Sequence, residues 1–336
     1  MRLIRTAELT EPTTSAYRLR RRADDGAITR LYPGVYLDGS PGTAADTLPE
    51  IEHVAKIAAV EPKLTRAVIS GPSAAILHGL PITRKRLTGK VRVNRASGGP
   101  GSDWLEVRRA PLDPDEIASL YGIRVTSLDR TIRDLCSELP FDELLAIADA
   151  ALHLGATLVP GPAGSRGVRV LARLREHASL RSESWLESMS RASMIEAGLP
   201  MPLEQIEVLD EHGDLCGRSD FGWPEFAALG EADGRSKYDE LLAAGETAVD
   251  AVHAEKMREN RMRMLGWQFL RWGAESAGSA KRMSRLFARL TEPGASIPAP
   301  AGHYRLAAVR PYQPLDWSTL LGRPRQPDGP AVDPAG

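Results

Sequence analysis

The stretch Gly217-Arg218-Ser219-Asp220-Phe221-Gly222-Trp223-Pro224, followed by Phe226-Ala227-Ala228-Leu229-Gly230-Glu231-Ala232-Asp233-Gly234, decides how the chain is read. Pro224 and its neighbours suit a turn between two strands. If that turn is tight, Asp220 opposes Glu231 and Arg218 opposes Asp233. Side chains two apart on a strand share a face, so these four groups are expected together. Like charges directly opposite one another are unfavourable, and something positive must compensate. Two candidates exist: a divalent cation such as Mg²⁺, which takes one or two carboxylates plus water and phosphate, or Arg218 alone as an ion pair.

The wider ordered set contains Glu187-Ser188-x-x-Arg191, Ala197-Gly198-Leu199-Pro200-x-Pro202, Arg218-x-Asp220-x-x-Trp223-Pro224, Glu231-x-Asp233-Gly234 and Gly266-Trp267-x-x-x-Arg271. It resembles a very-short-patch-repair-type endonuclease domain, a group similar in fold to the restriction endonucleases with the PD-(D/E)XK signature. The resemblance spans residues 182–289 and implies an αβββαβ core. It implies Asp220 and Glu231 as Mg²⁺ ligands and Glu187 as the acid from the first helix. Where the restriction signature has lysine, this chain has Asp233. Lys237 or Lys256 would then supply the missing ammonium, so the implied catalytic set is Glu187, Asp220, Glu231, Asp233 and Lys237. A metal there would activate water and neutralise phosphate oxygens. Ser184-Trp185-Leu186-Glu187 also fits a capping box, which gives Glu187 a structural alternative.

At 336 residues the chain is expected to hold two or three domains. Its hydrophobic fraction of 42% and charged fraction of 26% are ordinary for a soluble globular protein. The net charge of −1 means that any nucleic-acid surface must be local. The two cysteines, Cys136 and Cys216, have no metal-ligand spacing, the N-terminus lacks a signal-like apolar run, and no stretch reaches membrane-spanning length. A cytoplasmic protein without a membrane partner is expected.

Local basic clusters lie in the first forty residues and in a later helix. Thr14 or Ser15 can cap a helix bearing Arg18, Arg20, Arg21 and Arg22, and Asp24-Asp25-Gly26 ends it. Residues 27–37, carrying Arg30, then read as a hairpin around Pro33-Gly34. A basic helix followed by a small hairpin is the plan of an abbreviated winged helix, in which arginines grip DNA. The alternative is a solvated helix bracing the next domain. Lys256, Arg258 and Arg263, on a helix expected at 248–265, would track a DNA backbone.

Strands are expected near residues 67–70, 90–93, 105–108 and 123–126, with helices near 72–81, 130–135 and 141–152. Three pieces carry a second resemblance: Tyr32-Pro33-Gly34-Val35-Tyr36, Ser70-x-x-Ser73-Ala74-Ala75-x-Leu77-His78-Gly79-Leu80-Pro81, and Val125-Thr126-Ser127-x-x-Arg130-Thr131-x-x-Asp134-Leu135. They are similar to AbiEi-type antitoxins of abortive-infection toxin–antitoxin systems. That likeness implies a DNA-binding winged helix joined to a supporting domain, and a nucleotidyltransferase-like toxin as partner. His78, Arg130 and Asp134 read as packing, capping and ion-pair residues, since Asp134 follows Arg130 by four.

The expected organisation is α+β and α/β multi-domain. It comprises a winged-helix segment (1–40), a small α/β domain (50–155), a linker with a short helix (156–181), the restriction-endonuclease-like domain (182–291) and a largely disordered Pro/Gly-rich tail (292–336). Three functions fit: a Mg²⁺-dependent DNA endonuclease in phage defence or repair, a noncatalytic antitoxin-like repressor that keeps the nuclease fold for binding, and a protein-interaction platform.

Overall fold

The computed structural model describes residues 2–6, 9, 12–38, 48–87, 89–160, 164–234, 248–288, 290 and 298–325. The chain is mixed α/β and divides into two compact units: residues 1–139, 154–176 and 313–336 form the first, and residues 140–153 and 177–312 the second. No helix among the described residues is long and apolar enough to cross a membrane.

The first unit begins with β1 (Arg2–Arg5), α1 (Pro12–Asp24), β2 (Ile28–Tyr32) and β3 (Val35–Asp38), and β3 pairs antiparallel with both β1 and β2. The expected helix and hairpin are present, and β1 completes the sheet. Helix α1 starts at Pro12, upstream of the expected caps Thr14 and Ser15. Proline suits a first turn because its φ is preset and its missing N–H would be unpaired there anyway. Gly34, at φ +80°, closes the hairpin, and a Cβ there would lie 2.7 Å from Thr6 Oγ1. Leu19, Ile28 and Tyr36 form the small core between helix and sheet.

The unit continues with α2 (Leu48–Val60), β4 (Val68–Ile69), α3 (Gly71–Leu77), β5 (Val91–Arg95), β6 (Leu105–Arg109), β7 (Ile117–Leu120), β8 (Ile123–Thr126) and α4 (Leu128–Leu135). Its five strands run in the order β6-β5-β4-β8-β7. Strand β7, not foreseen, forms a hairpin with β8 through Tyr121 and Gly122, at φ +54° and +70°. His78 is buried at the end of α3, its Nε2 2.8 Å from the Thr126 carbonyl, in keeping with a packing role. Arg130 Nε donates to Asp134 Oδ1 at 2.8 Å as the spacing required, and Glu116 joins the pair.

Of the stretch read as linker and short helix (156–181), residues up to 176 belong to this unit and residues 177–181 to the second. The Asp129 carboxylate accepts hydrogen bonds from Thr157 N and Oγ1 and from Leu158 N, and α6 (Val168–His177) buries Leu171 and Leu174. Of the tail expected to be largely disordered (292–336), residues 298–325 are folded, while residues 292–297 and 326–336 lie outside the described residues. α11 (Ser318–Leu321) belongs to the first unit, and Trp317 just before it is 5% exposed. A Pro/Gly-rich segment buries little surface by itself, but here it borrows a surface that the rest of the unit has already built.

The second unit contains α5 (Phe141–His153), α7 (Trp185–Ala197), β9 (Leu203–Leu209), β10 (Leu215–Trp223), β11 (Ala228–Ala232), α8 (Ala248–Met264), β12 (Gln268–Trp272), α9 (Ala274–Ala277), α10 (Ala280–Phe287) and β13 (His303–Leu306). The sheet order is β12-β11-β10-β9-β13, with β11 and β12 parallel and the other pairs antiparallel. A short 3₁₀ turn at Pro224–Phe226 joins β10 to β11, and pairs such as Phe221 with Gly230 fall in the register that the turn predicted. One face packs Phe221, Trp223 and Trp272 against Met194 of α7 and Phe287 of α10. The other packs Ile206, Val208 and Leu229 against Met262 of α8. Helix α5 is tied in by Asp149, whose carboxylate accepts from Ser179 N (2.7 Å), Ser188 Oγ (2.7 Å) and Arg191 Nη1 (3.0 Å). Ser188 and Arg191 of the first sequence motif therefore serve packing.

Candidate functional site

Neighbouring side chains show which face the strands present to each helix. Phe221 and Trp223 pack on the α7 side. Leu229 packs with Met262 of α8, and Glu231, two residues on, shares that face. The backbone ladder between β10 and β11 runs from Trp223/Ala228 to Phe221/Gly230, and beyond it side chains take over. Ser219 Oγ donates to the Gly230 carbonyl at 2.9 Å, and the Ala232 N–H donates to Asp220 Oδ2 at 3.0 Å.

Glu231 is buried and held by two arginines. Arg258 Nη2 lies 2.6 Å from Oε1, and Arg271 Nη2 lies 2.8 Å from Oε2. The arginines are placed by α8 and by the parallel register of β12, in which Arg271 is the Cα partner of Glu231. Burial pushes the Glu231 carboxyl up, and the two guanidinium groups pull against that rise. Glu255 receives bonds from both arginines; the hydrogen bond from Arg258 is the main cause that takes it down to about 2. Arg271 also meets Glu259 at 2.9 Å and Asp233 at 3.5 Å. This network replaces the expected compensation by Arg218.

Arg218 instead serves the acid of the first helix. Its Nε donates to Gln205 Oε1 at 2.9 Å, and its Nη2 pairs with Glu183. Gln205 Nε2 in turn donates to Glu187 Oε2 at 2.7 Å. Glu187 is buried and further accepts from Ser184 Oγ at 2.6 Å and from Glu183 N at 2.9 Å, while its own N–H donates to Ser184 Oγ. The cap and the acid are therefore the same group. Gln205, missed in the sequence, holds φ +57° inside β9, a left-handed conformation that costs a non-glycine residue about 1–3 kcal/mol. Its amide spans two charged partners and offsets that cost. Only a backbone outlier reveals it, and strand periodicity gives no hint of one.

Magnesium at Asp220 and Glu231 does not fit these donors as arranged. Guanidinium groups bond both oxygens of Glu231, and an amide bonds one oxygen of Asp220. Among the described residues no three Asp, Glu, His or Cys side chains are grouped to hold a metal ion. Lys237 lies outside the described residues. Lys256 is exposed on α8, and Arg263 is paired with Glu259 at 2.6 Å and stacked 5.0 Å from the Phe269 ring. Arg258, expected to track DNA, is instead committed to Glu231 and Glu255.

In the first unit, Arg18, Arg20 and Arg21 on α1 and Arg30 on β2 are exposed, and among the described residues none of them is ion-paired. Arg22 is paired with Asp38 at 3.1 Å. Between α1 and β2 lies an open groove of about 560 Å³ with Arg20, Arg30 and the acid Asp24 in its lining. Guanidinium groups arranged this way suit phosphate oxygens.

No protein-family model matches the chain. Two uncharacterized proteins of Mycobacterium tuberculosis, from two strains, are each 32% identical to it over 104 residues, which is 31% of this chain and 35% of theirs. The chain thus matches about a third of the length of these relatives. No solved structure matches.

Proposed function

We propose that the chain is a DNA-binding protein in which the winged-helix-like helix and hairpin of the first unit grip the duplex. Its second unit, of restriction-endonuclease type, holds nucleic acid without cutting it. One observation carries this reading: the acid that a nuclease of this type would offer to a metal, Glu231, has both oxygens bonded by Arg258 and Arg271. The two guanidinium charges already neutralise this carboxylate and repel an approaching divalent cation. The antitoxin resemblance agrees with a repressor that needs binding and no chemistry, and it makes a nucleotidyltransferase-like toxin the partner to test.

The test is binding of duplex from the chain's own promoter region, followed by fluorescence anisotropy across a salt series. Binding that survives Asp220→Ala and fails with Arg20→Ala and Arg21→Ala together supports the proposal. Binding lost with Asp220→Ala and untouched by the arginine pair sinks it. A Mg²⁺-dependent endonuclease is the second reading, and it is favoured by Asp220 and Glu231 lying on paired neighbouring strands, with the Ala232 N–H beside Glu231 bonded to Asp220. It requires Arg258 and Arg271 to release Glu231 when phosphate arrives.

A further inference from the structure

Residues 313–325, Gln-Pro-Leu-Asp-Trp-Ser-Thr-Leu-Leu-Gly-Arg-Pro-Arg, bind the first unit in the manner of a short peptide ligand. Trp317 is the anchor: it is 5% exposed, and its Nε1 donates to the Ile76 carbonyl at 2.7 Å. Its backbone N–H donates to the Tyr121 hydroxyl at 3.2 Å, and that hydroxyl donates to Asp316 Oδ1 at 3.3 Å. Arg325 Nη2 donates to the His78 carbonyl at 3.0 Å, beyond the end of α3. The receiving surface is shaped for close approach. A Cβ on Gly79 would come within 2.7 Å of Pro314 Cβ and 3.2 Å of the Leu315 backbone.

The segment also reaches the basic hairpin. Leu320 packs on Leu31 of β2, Leu37 of β3 and Ala55 of α2. Beside it lies a partly open pocket of about 220 Å³, lined by Leu3, Arg5 and Ala58 among others. An aromatic anchor in a pocket, with an arginine on a backbone carbonyl beside it, is the pattern of an occupied recognition groove.

We propose that residues 313–325 are a separable intramolecular ligand of the first unit, and that seating Trp317 fixes the hairpin Ile28–Asp38 that carries Arg30. The step from hairpin order to DNA affinity rests on the DNA-binding reading above. The ordering itself does not.

Hydrogen exchange on the full chain tests it. Trp317→Ala is expected to speed exchange of the hairpin amides by about tenfold or more, with the amides of β9 to β11 unchanged. Adding the synthetic peptide 313–325 in trans restores protection, and the same peptide with Trp317→Ala does not. Unchanged hairpin exchange, equal acceleration in β9 to β11, or no rescue by the peptide overturns the proposal. Leu320→Ala keeps the Trp317 anchor while removing the contact with the hairpin and with Ala55 of α2, and decides the matter if Trp317→Ala fails to fold. Its expected effect is about threefold faster exchange confined to the hairpin, and no change overturns the proposal. A parallel duplex-binding assay keeps the two claims apart. Wild-type protein that binds no duplex ends the DNA reading, while exchange still judges the ligand.

Discussion

Helices α1 and α8 both carry arginines at close spacing, and the structure uses them in opposite ways. On α1, Arg18, Arg20 and Arg21 are exposed and, among the described residues, not ion-paired. On α8, Arg258 and Arg263 are bonded to Glu255, Glu259 and the strand acid Glu231. The cause lies in the neighbours. Glu255 and Glu259 precede the arginines by three and four residues, the spacing at which helical side chains meet. On α1 the acid, Asp24, follows Arg20 and Arg21, the less favourable order, and among the described residues pairs with neither, so these cations stay open to outside ligands. A count of arginines therefore says little about a cationic surface until the counter-charges are placed.

That contrast can be broken by substitution. Arg258→Ala removes half of the clamp on a buried carboxylate and is expected to cost the second unit about 3 kcal/mol. Arg20→Ala, on an exposed face, is expected to change stability by less than about 0.5 kcal/mol. Calorimetry with separate transitions for the two units measures both, and equal effects would erase the distinction.

The reverse experiment reads affinity. Replacing Arg20 and Arg21 by alanine is expected to weaken duplex binding about tenfold near 0.1 M salt and to flatten the log–log salt dependence by about two. Lys256→Ala is expected to change that slope by less than about one. A larger effect from Lys256 would move the DNA surface to α8.

Acid sharpens the comparison further, with a smaller effect. Glu255 falls from its ordinary 4.5 to about 2 in the fold. A lowered carboxylate contributes stability above pH 4.5 that is lost as pH falls through about 2. The second unit should therefore lose stability across that window, and Glu255→Gln should flatten the loss. A pH profile that is the same in the variant contradicts the assignment.

The register of β10 on β11 is legible in the sequence because Pro224 fixes where the turn must fall. The capping box at Ser184 and Glu187 is equally local. What escapes such a reading is contact that only tertiary structure creates. Arg271 meets Glu231 through a parallel pairing that spans the whole of α8, and Gln205 acts through a single left-handed dihedral. The C-terminal segment misleads for a related reason: its composition is poor in apolar residues, yet Trp317 and Leu320 fill surfaces contributed by Ile76, Leu31 and Leu37.

Supercoiled plasmid incubated with the full protein and Mg²⁺ is the most direct test of a module that holds its acid in an arginine clamp. A retarded complex with intact supercoils is expected, alike for wild type and Asp220→Ala. Nicks that depend on Mg²⁺ and vanish with Asp220→Ala would contradict the clamp as a block to cleavage.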